Sequence, residues 1–261
     1  MGRAMCYRCF WPKAHCWCAS VVPIRTRTRF VILMHPKEFK QEKAATGRLT
    51  HLCLADSEIH MALECDAHPA VQHVLADPTA LPVLLYPGEG ARNLSRGDLT
   101  AGDLAGRRLV VFVLDATWSG ARKMLKLSPG LQQLPRVVFT ASQPSRYVIK
   151  RQPQAGCLST LEAVHETLGA LERCGLDRYE RPEQLLDVFE RMQRFHIDFA
   201  RDPSRAGRRH RSGAPAPGAD VRKRFSDRAP AAPSRRRSYI RGVDTAPPER
   251  AASKLGLHKR S

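Results

Sequence analysis

The residues best suited to chemistry fall in two short clusters. The first is Asp115-Ala116-Thr117-Trp118, which directly follows the apolar run Leu109-Val110-Val111-Phe112-Val113-Leu114. A carboxylate at the end of a buried strand can act as a base or grip a polar substrate group. Trp118 offers a flat face on which a nucleobase can stack. Asp115 or Thr117 could equally do no more than cap the next helix, because both residue types favour that position. The second cluster is Cys6, Cys9, Cys16 and Cys18, spaced C-x2-C-x6-C-x-C. Four thiolates so close in sequence can close a tetrahedral zinc site. A closed four-sulfur shell leaves no position for catalysis, so such a metal is structural or shapes a surface for RNA. Two disulfides or a redox pair are the competing readings. The other cysteines, Cys53, Cys65, Cys157 and Cys174, are scattered, which fits a disulfide framework poorly. His35, His51, His60, His165 and His196 lack ligand-like pairing and read as ordinary surface or core residues.

Both clusters need a scaffold, and the apolar pattern supplies one. Arg29–His35 is a short apolar run ending at Pro36 and reads as a buried strand. Pro82–Gly88, Leu109–Leu114 and Val137–Phe139 read as further strands, and Leu52–Leu54 as another short one. Glu38–Gly47 has helical character, with Gly47 as its stop signal. Helices are also expected near Pro69–Leu75, over Ser119–Leu127, over Thr160–Cys174 and over Pro182–Arg201. Continuous apolar strands alternating with helices predict an α/β fold, a mostly parallel sheet with helices on both faces. The organisation that follows is a cysteine-rich knuckle over residues 1–24, a catalytic domain over 25–200 and a tail over 201–261.

Charge separates the tail from the rest. The 261-residue chain carries 43 Lys+Arg against 25 Asp+Glu, a net charge of +18. Residues 201–261 hold 17 of the basic and 5 of the acidic residues, a net of +12, and leave +6 on residues 1–200. The tail has seven prolines, and its aromatics are Phe225 and Tyr239. Such a segment buries too little apolar surface to offset its ordering entropy, so disorder is expected. It reads as an electrostatic arm for RNA or as a solvated extension. A polyanionic partner is the default for this charge, with nucleic acid first. No run of about 18 apolar residues occurs, which excludes a helical membrane span. The absence of an apolar signal core and the scattered cysteines predict a cytoplasmic protein.

Several blocks together resemble the DTW-domain family. They are the C-x2-C…C-x-C knuckle, Leu85-Tyr86-Pro87-Gly88, Leu114–Trp118, Ser145–Pro153 and Leu158–Val164, in that order over roughly residues 5–200. Family members are tRNA-uridine aminocarboxypropyltransferases. The resemblance implies transfer of the 3-amino-3-carboxypropyl group of S-adenosylmethionine to N3 of a tRNA uridine, with release of 5′-methylthioadenosine. It also implies a relation to SPOUT-type RNA methyltransferases, whose sheet carries a C-terminal trefoil knot at the cofactor and which are often homodimers. By the same resemblance Asp115, Thr117 and Trp118 are catalytic. Tyr86, Pro87, Gly88, Leu158, Ser159, Thr160 and Glu162 hold the cofactor, although Tyr86–Gly88 could be an ordinary turn and Ser159–Glu162 a plain helix cap. Arg122, Lys123, Arg146, Tyr147, Lys150 and Arg151 are assigned to substrate. The basic ones among them could grip tRNA phosphates, hold the cofactor carboxylate or be solvated surface. Glu89 and Arg92 follow in the Gly88 loop and are further substrate candidates. Two readings compete: the same fold transferring a methyl group or acting on ribosomal RNA, and a zinc and RNA-binding protein without activity.

Overall fold

A computed structural model describes residues 4–41, 45–149 and 157–201 of the chain. Lys150, Arg151 and all of the basic tail after Arg201 lie outside the described residues. The strands are β1 (Arg29–Met34), β2 (Ser57–Met61), β3 (Ala80–Leu85), β4 (Arg92–Asn93), β5 (Arg108–Asp115) and β6 (Arg136–Val138). The helices are α1 (Pro36–Gln41), α2 (Thr46–Cys53), α3 (Pro69–Ala76), α4 (Ala101–Leu104), α5 (Trp118–Lys126), α6 (Pro129–Gln133), α7 (Thr160–Arg173) and α8 (Glu183–Arg201). The six strands form one sheet in the order β2-β1-β5-β3-β6-β4, and every neighbouring pair is parallel.

Alternation along the strands builds two cores. Phe30 and Ile32 of β1, Val111 and Val113 of β5 and Val83 of β3 face α2, α7 and α8. Val31 and Leu33, Val110 and Phe112, and Leu84 face α3, α5 and α6. Successive side chains of a strand point to opposite faces, so a continuous apolar run fills both layers at once. The expected α/β architecture with helices on both faces is therefore present. Among the described residues no helix is long and apolar enough to cross a membrane.

Two sequence expectations need correction. Glu38–Gly47 is not one helix ending at Gly47: α1 stops at Gln41, and Gly47 lies in the first turn of α2. The glycine answers a close approach rather than a stop, because a Cβ there would fall 2.8 Å from Cγ of Asp115. Leu52–Leu54 is not a strand but the end of α2, with Leu54 forming only an isolated bridge to Ile24. Three apolar residues are too few for their period to separate strand from helix.

Candidate active site

The carboxyl ends of β3, β5 and β6 and the first turns of α5 and α7 enclose a cavity of about 150 Å³. Its wall is Leu85 of β3 with Tyr86 and Pro87 just after it, Val113 and Leu114 of β5 with Ala116 beyond, and Val137 and Val138 of β6 with Phe139 beyond. Trp118 and Ala121 close it from α5, Thr160 and Ala163 from α7, and Leu158 from the loop before α7. Parallel sheets bind ligands at this edge, where the strands end and the next helices begin. The lining is apolar and aromatic with few polar groups, which suits a ligand with a flat ring.

Asp115 stands just behind that wall and is only 8% exposed. Its Oδ1 accepts a hydrogen bond from the hydroxyl of Thr160 at 2.6 Å. Thr160 is the first residue of α7, and Gly47 on the opposite side belongs to the first turn of α2. Two helix N-termini thus converge on one carboxylate, and both favour negative charge there. Arg48 adds a guanidinium: burial lowers its pKa, and the charge of Asp115 raises it. Asp115 is not the cap of α5. That role belongs to Thr117, whose hydroxyl accepts from the Gly120 amide at 3.2 Å. Thr117 is accordingly absent from the cavity wall, while Trp118 is part of it.

The loop before α7 is fixed by Glu162, which is 4% exposed. Its carboxylate accepts from the amide and hydroxyl of Ser159 at 2.8 and 2.7 Å. It also accepts from the Ser145 hydroxyl at 2.8 Å and the Arg146 amide at 2.6 Å. Ser159 and Glu162 form a capping box that places Thr160 and Leu158 at the cavity. Their oxygens are engaged in that frame, one layer behind the lining. Gly88 backs onto Arg136, where a Cβ would meet the guanidinium carbon at 3.0 Å. Arg136 also donates to the Pro87 carbonyl at 3.4 Å. Burial raises the Tyr86 phenol pKa, while Arg122 and Arg136 oppose that rise.

The predicted substrate residues are dispersed. Arg122 and Lys123 are exposed on α5, next to the cavity. The Arg146 side chain is exposed, while its carbonyl accepts from the Gln193 amide nitrogen at 3.0 Å. Tyr147 packs edge-on against Phe189 of α8, with ring centroids 5.1 Å apart. Arg92 pairs with Asp103 at 2.7 Å on the β4 edge, and Glu89 is exposed.

The four knuckle cysteines converge, all sulfurs lying within 4.8 Å of one another. Cys6–Cys18 and Cys9–Cys16 are each 3.7 Å apart. A tetrahedron with zinc–sulfur bonds of about 2.3 Å has edges of about 3.8 Å, so the donor set fits. The backbone amides of Cys9 and Arg8 hold the Cys6 thiol down to about 6. Burial pushes Cys9 and Cys18 the other way. Four sulfurs this close can all be thiolates only around a cation. Trp11 and Trp17 meet edge to face at 5.2 Å, and Trp11 packs on Phe195 of α8 at 5.0 Å.

A family model described as the DTW domain matches residues 3–197. The chain belongs to the DTW-domain family. Similar proteins include tRNA-uridine aminocarboxypropyltransferase 2 of Drosophila melanogaster, 30% identical over 75% of this chain and 76% of that protein. The tRNA-uridine aminocarboxypropyltransferase A of Arabidopsis thaliana is 27% identical over 76% of this chain and 82% of its own length. The Mus musculus tRNA-uridine aminocarboxypropyltransferase 2 is 32% identical over 72% of this chain and 64% of its own. No solved structure gave a significant match. In this DTW-domain chain the signature residues divide by task. Asp115 faces the helix ends, Thr117 caps α5, and Trp118 lines the cavity.

Arg48 and Arg136 are not singled out in the sequence, and Gly47 and His35 read there as a helix stop and an ordinary histidine. The His35 amide donates to the Asp115 carbonyl at 3.0 Å, and its ring lies beside Gly120. Their common signal is spatial, since Arg48 and Asp115 are 67 positions apart. Only the Gly47 glycine is visible in the sequence, and it is ambiguous between a stop and a close approach.

Proposed function

We propose that the chain is an S-adenosylmethionine-dependent tRNA-uridine aminocarboxypropyltransferase. The observation that carries the reading is the placement of Asp115 directly beside an apolar, aromatic cavity at the carboxyl edge of the sheet. The family membership and the names of the relatives supply the reaction class.

In this reading Tyr86, Pro87, Leu158 and Trp118 enclose the adenosine end of S-adenosylmethionine. The uridine imide reaches Asp115, which the helix ends of α2 and α7 keep as a hydrogen-bond acceptor. The bond from N3 to the γ-carbon of the transferred group forms while the sulfur–γ-carbon bond breaks. The bonding pair stays on sulfur, which leaves as neutral 5′-methylthioadenosine, and the N3 proton passes to Asp115. The sulfonium is already an activated leaving group, so the protein's work is alignment. Arg122, Lys123, Arg146, Lys150, Arg151 and the +12 segment over 201–261 would add tRNA phosphate contacts. A trefoil knot, a homodimer and a cytoplasmic site of action belong to the same proposal.

Zinc in the knuckle is proposed on the sulfur geometry. Metal analysis of the purified protein is expected to give about one zinc per chain, and none would remove this assignment. The activity is tested with purified protein, unmodified tRNA and S-adenosylmethionine, followed by nucleoside mass analysis. The expected product is 3-(3-amino-3-carboxypropyl)uridine with 5′-methylthioadenosine. Methylated uridine with S-adenosylhomocysteine would move the assignment to a methyltransferase, and no product from any tRNA would overturn it.

A further inference from the structure

We infer that Arg48 is a positioning residue for Asp115 and that the cysteine knuckle holds it in place through Phe10. Arg48 follows Gly47, the residue packed against the Asp115 carboxylate. Its guanidinium sits in the angle made by two touching aromatic rings, 4.4 Å from the centroid of Phe10 and 4.7 Å from that of Phe39. It also donates to the Phe39 carbonyl. Its Nε is buried and has no hydrogen-bond partner among the described residues. A planar cation seated against two rings is held in orientation, which a flexible surface arginine is not.

One jaw of this clamp comes from the knuckle. Phe10 sits between Cys9 and Trp11, and its amide donates to the Cys6 carbonyl at 2.8 Å. Its φ is +59°, a left-handed conformation that bulky residues rarely adopt. The turn that gathers the cysteines imposes this backbone and so aims the ring at Arg48. The other jaw, Phe39, belongs to α1 and meets Phe10 edge-on at 5.8 Å. The path runs from the sulfur cluster through Phe10 to Arg48, then one residue along α2 to Gly47 and the carboxylate. In this arrangement the knuckle does more than anchor the N-terminus. It sets the charge field and the helix position that Asp115 experiences.

This inference rests on the proposed activity, so its test has one arm that needs turnover and one that does not. In the turnover arm, Arg48→Gln is expected to lower kcat about 100-fold with KM for both substrates within about threefold, and Arg48→Lys to recover part of the loss. Phe10→Ala is expected to lower kcat about 10-fold, whereas Phe10→Tyr, which keeps the ring face, stays within about twofold. The deciding measurement is the double-mutant cycle. Phe10→Ala should have almost no further effect in the Arg48→Gln background. Additive losses would overturn the inference and leave the proposed activity standing. The second arm follows the Asp115 side-chain carbon by 13C NMR, assigned with Asp115→Asn. Phe10→Ala should shift that resonance in the parent and not in Arg48→Gln. An unmoved resonance in the parent, or equal shifts in both backgrounds, overturns the inference even for a protein that makes no product.

Discussion

The β3 side and the β1 side of Asp115 are built from different materials. Toward β3 and β6 the walls are Leu85, Tyr86, Val137, Phe139 and Trp118, an apolar cleft with room for a ligand. Toward β1 the neighbours are Gly47, Arg48 and His35, packed close enough that a single added methyl would collide with the carboxylate. One side is concave and shaped to receive something. The other is filled and charged, and it holds the carboxylate from behind. An enzyme that must leave space before its acceptor group and allow no movement behind it needs this asymmetry. Each flank can be tested separately.

The largest effect is expected where the flanks meet. Asp115→Asn keeps an oxygen for Thr160 but removes the charge, and kcat should fall by about 10²–10⁴ with the fold intact by circular dichroism. Activity within twofold of the parent would show that the asymmetry serves some other group. Next is the filled flank. Gly47→Ala should cost about 1–3 kcal/mol in urea denaturation, because the backbone of α2 must shift. Gly169→Ala is the control within α7: a Cβ there meets only the Arg173 guanidinium at 3.4 Å. It should gain up to about 1 kcal/mol, and equal outcomes at the two glycines would refute the close-approach reading. The smallest effect belongs to the open flank. The Tyr86 hydroxyl is buried without a hydrogen-bond partner among the described residues. Tyr86→Phe should therefore leave the melting temperature of the free protein unchanged or higher. S-adenosylhomocysteine binding should weaken by about threefold to tenfold if the cleft's occupant supplies that partner. Calorimetric binding that is unaffected would leave Tyr86 as wall alone.

The open flank was legible in the sequence and the filled flank was not. β1, β3, β5 and β6 announce themselves as apolar runs because both of their faces are covered. β2, with Glu58 and His60 on a half-buried edge, and the two-residue β4 carry no such run. Asp115 and Trp118 follow the strongest strand and Tyr86 ends another, so position in the pattern points to them, whereas Leu158 is named only by the family resemblance. Arg48 and His35 owe their places to packing between distant segments, which periodicity does not encode. Thr117 and Glu162 show the same limit from the other direction. Their residue types suit a site, and the structure uses them to cap α5 and to frame the loop before α7.

The strand order carries a consequence for how the protein comes to be active. β5 alone joins the β2-β1 pair to the β3-β6-β4 trio. Its partners β1 and β3 precede it in the chain, so it must insert between two pieces already synthesised. Long-range parallel pairing of this kind is a slow step in folding. The carboxylate rides on the last residue of that strand. Asp115 therefore reaches its place beside Thr160 and Gly47 only as this strand inserts, and under the proposed function a half-folded chain would hold no assembled centre.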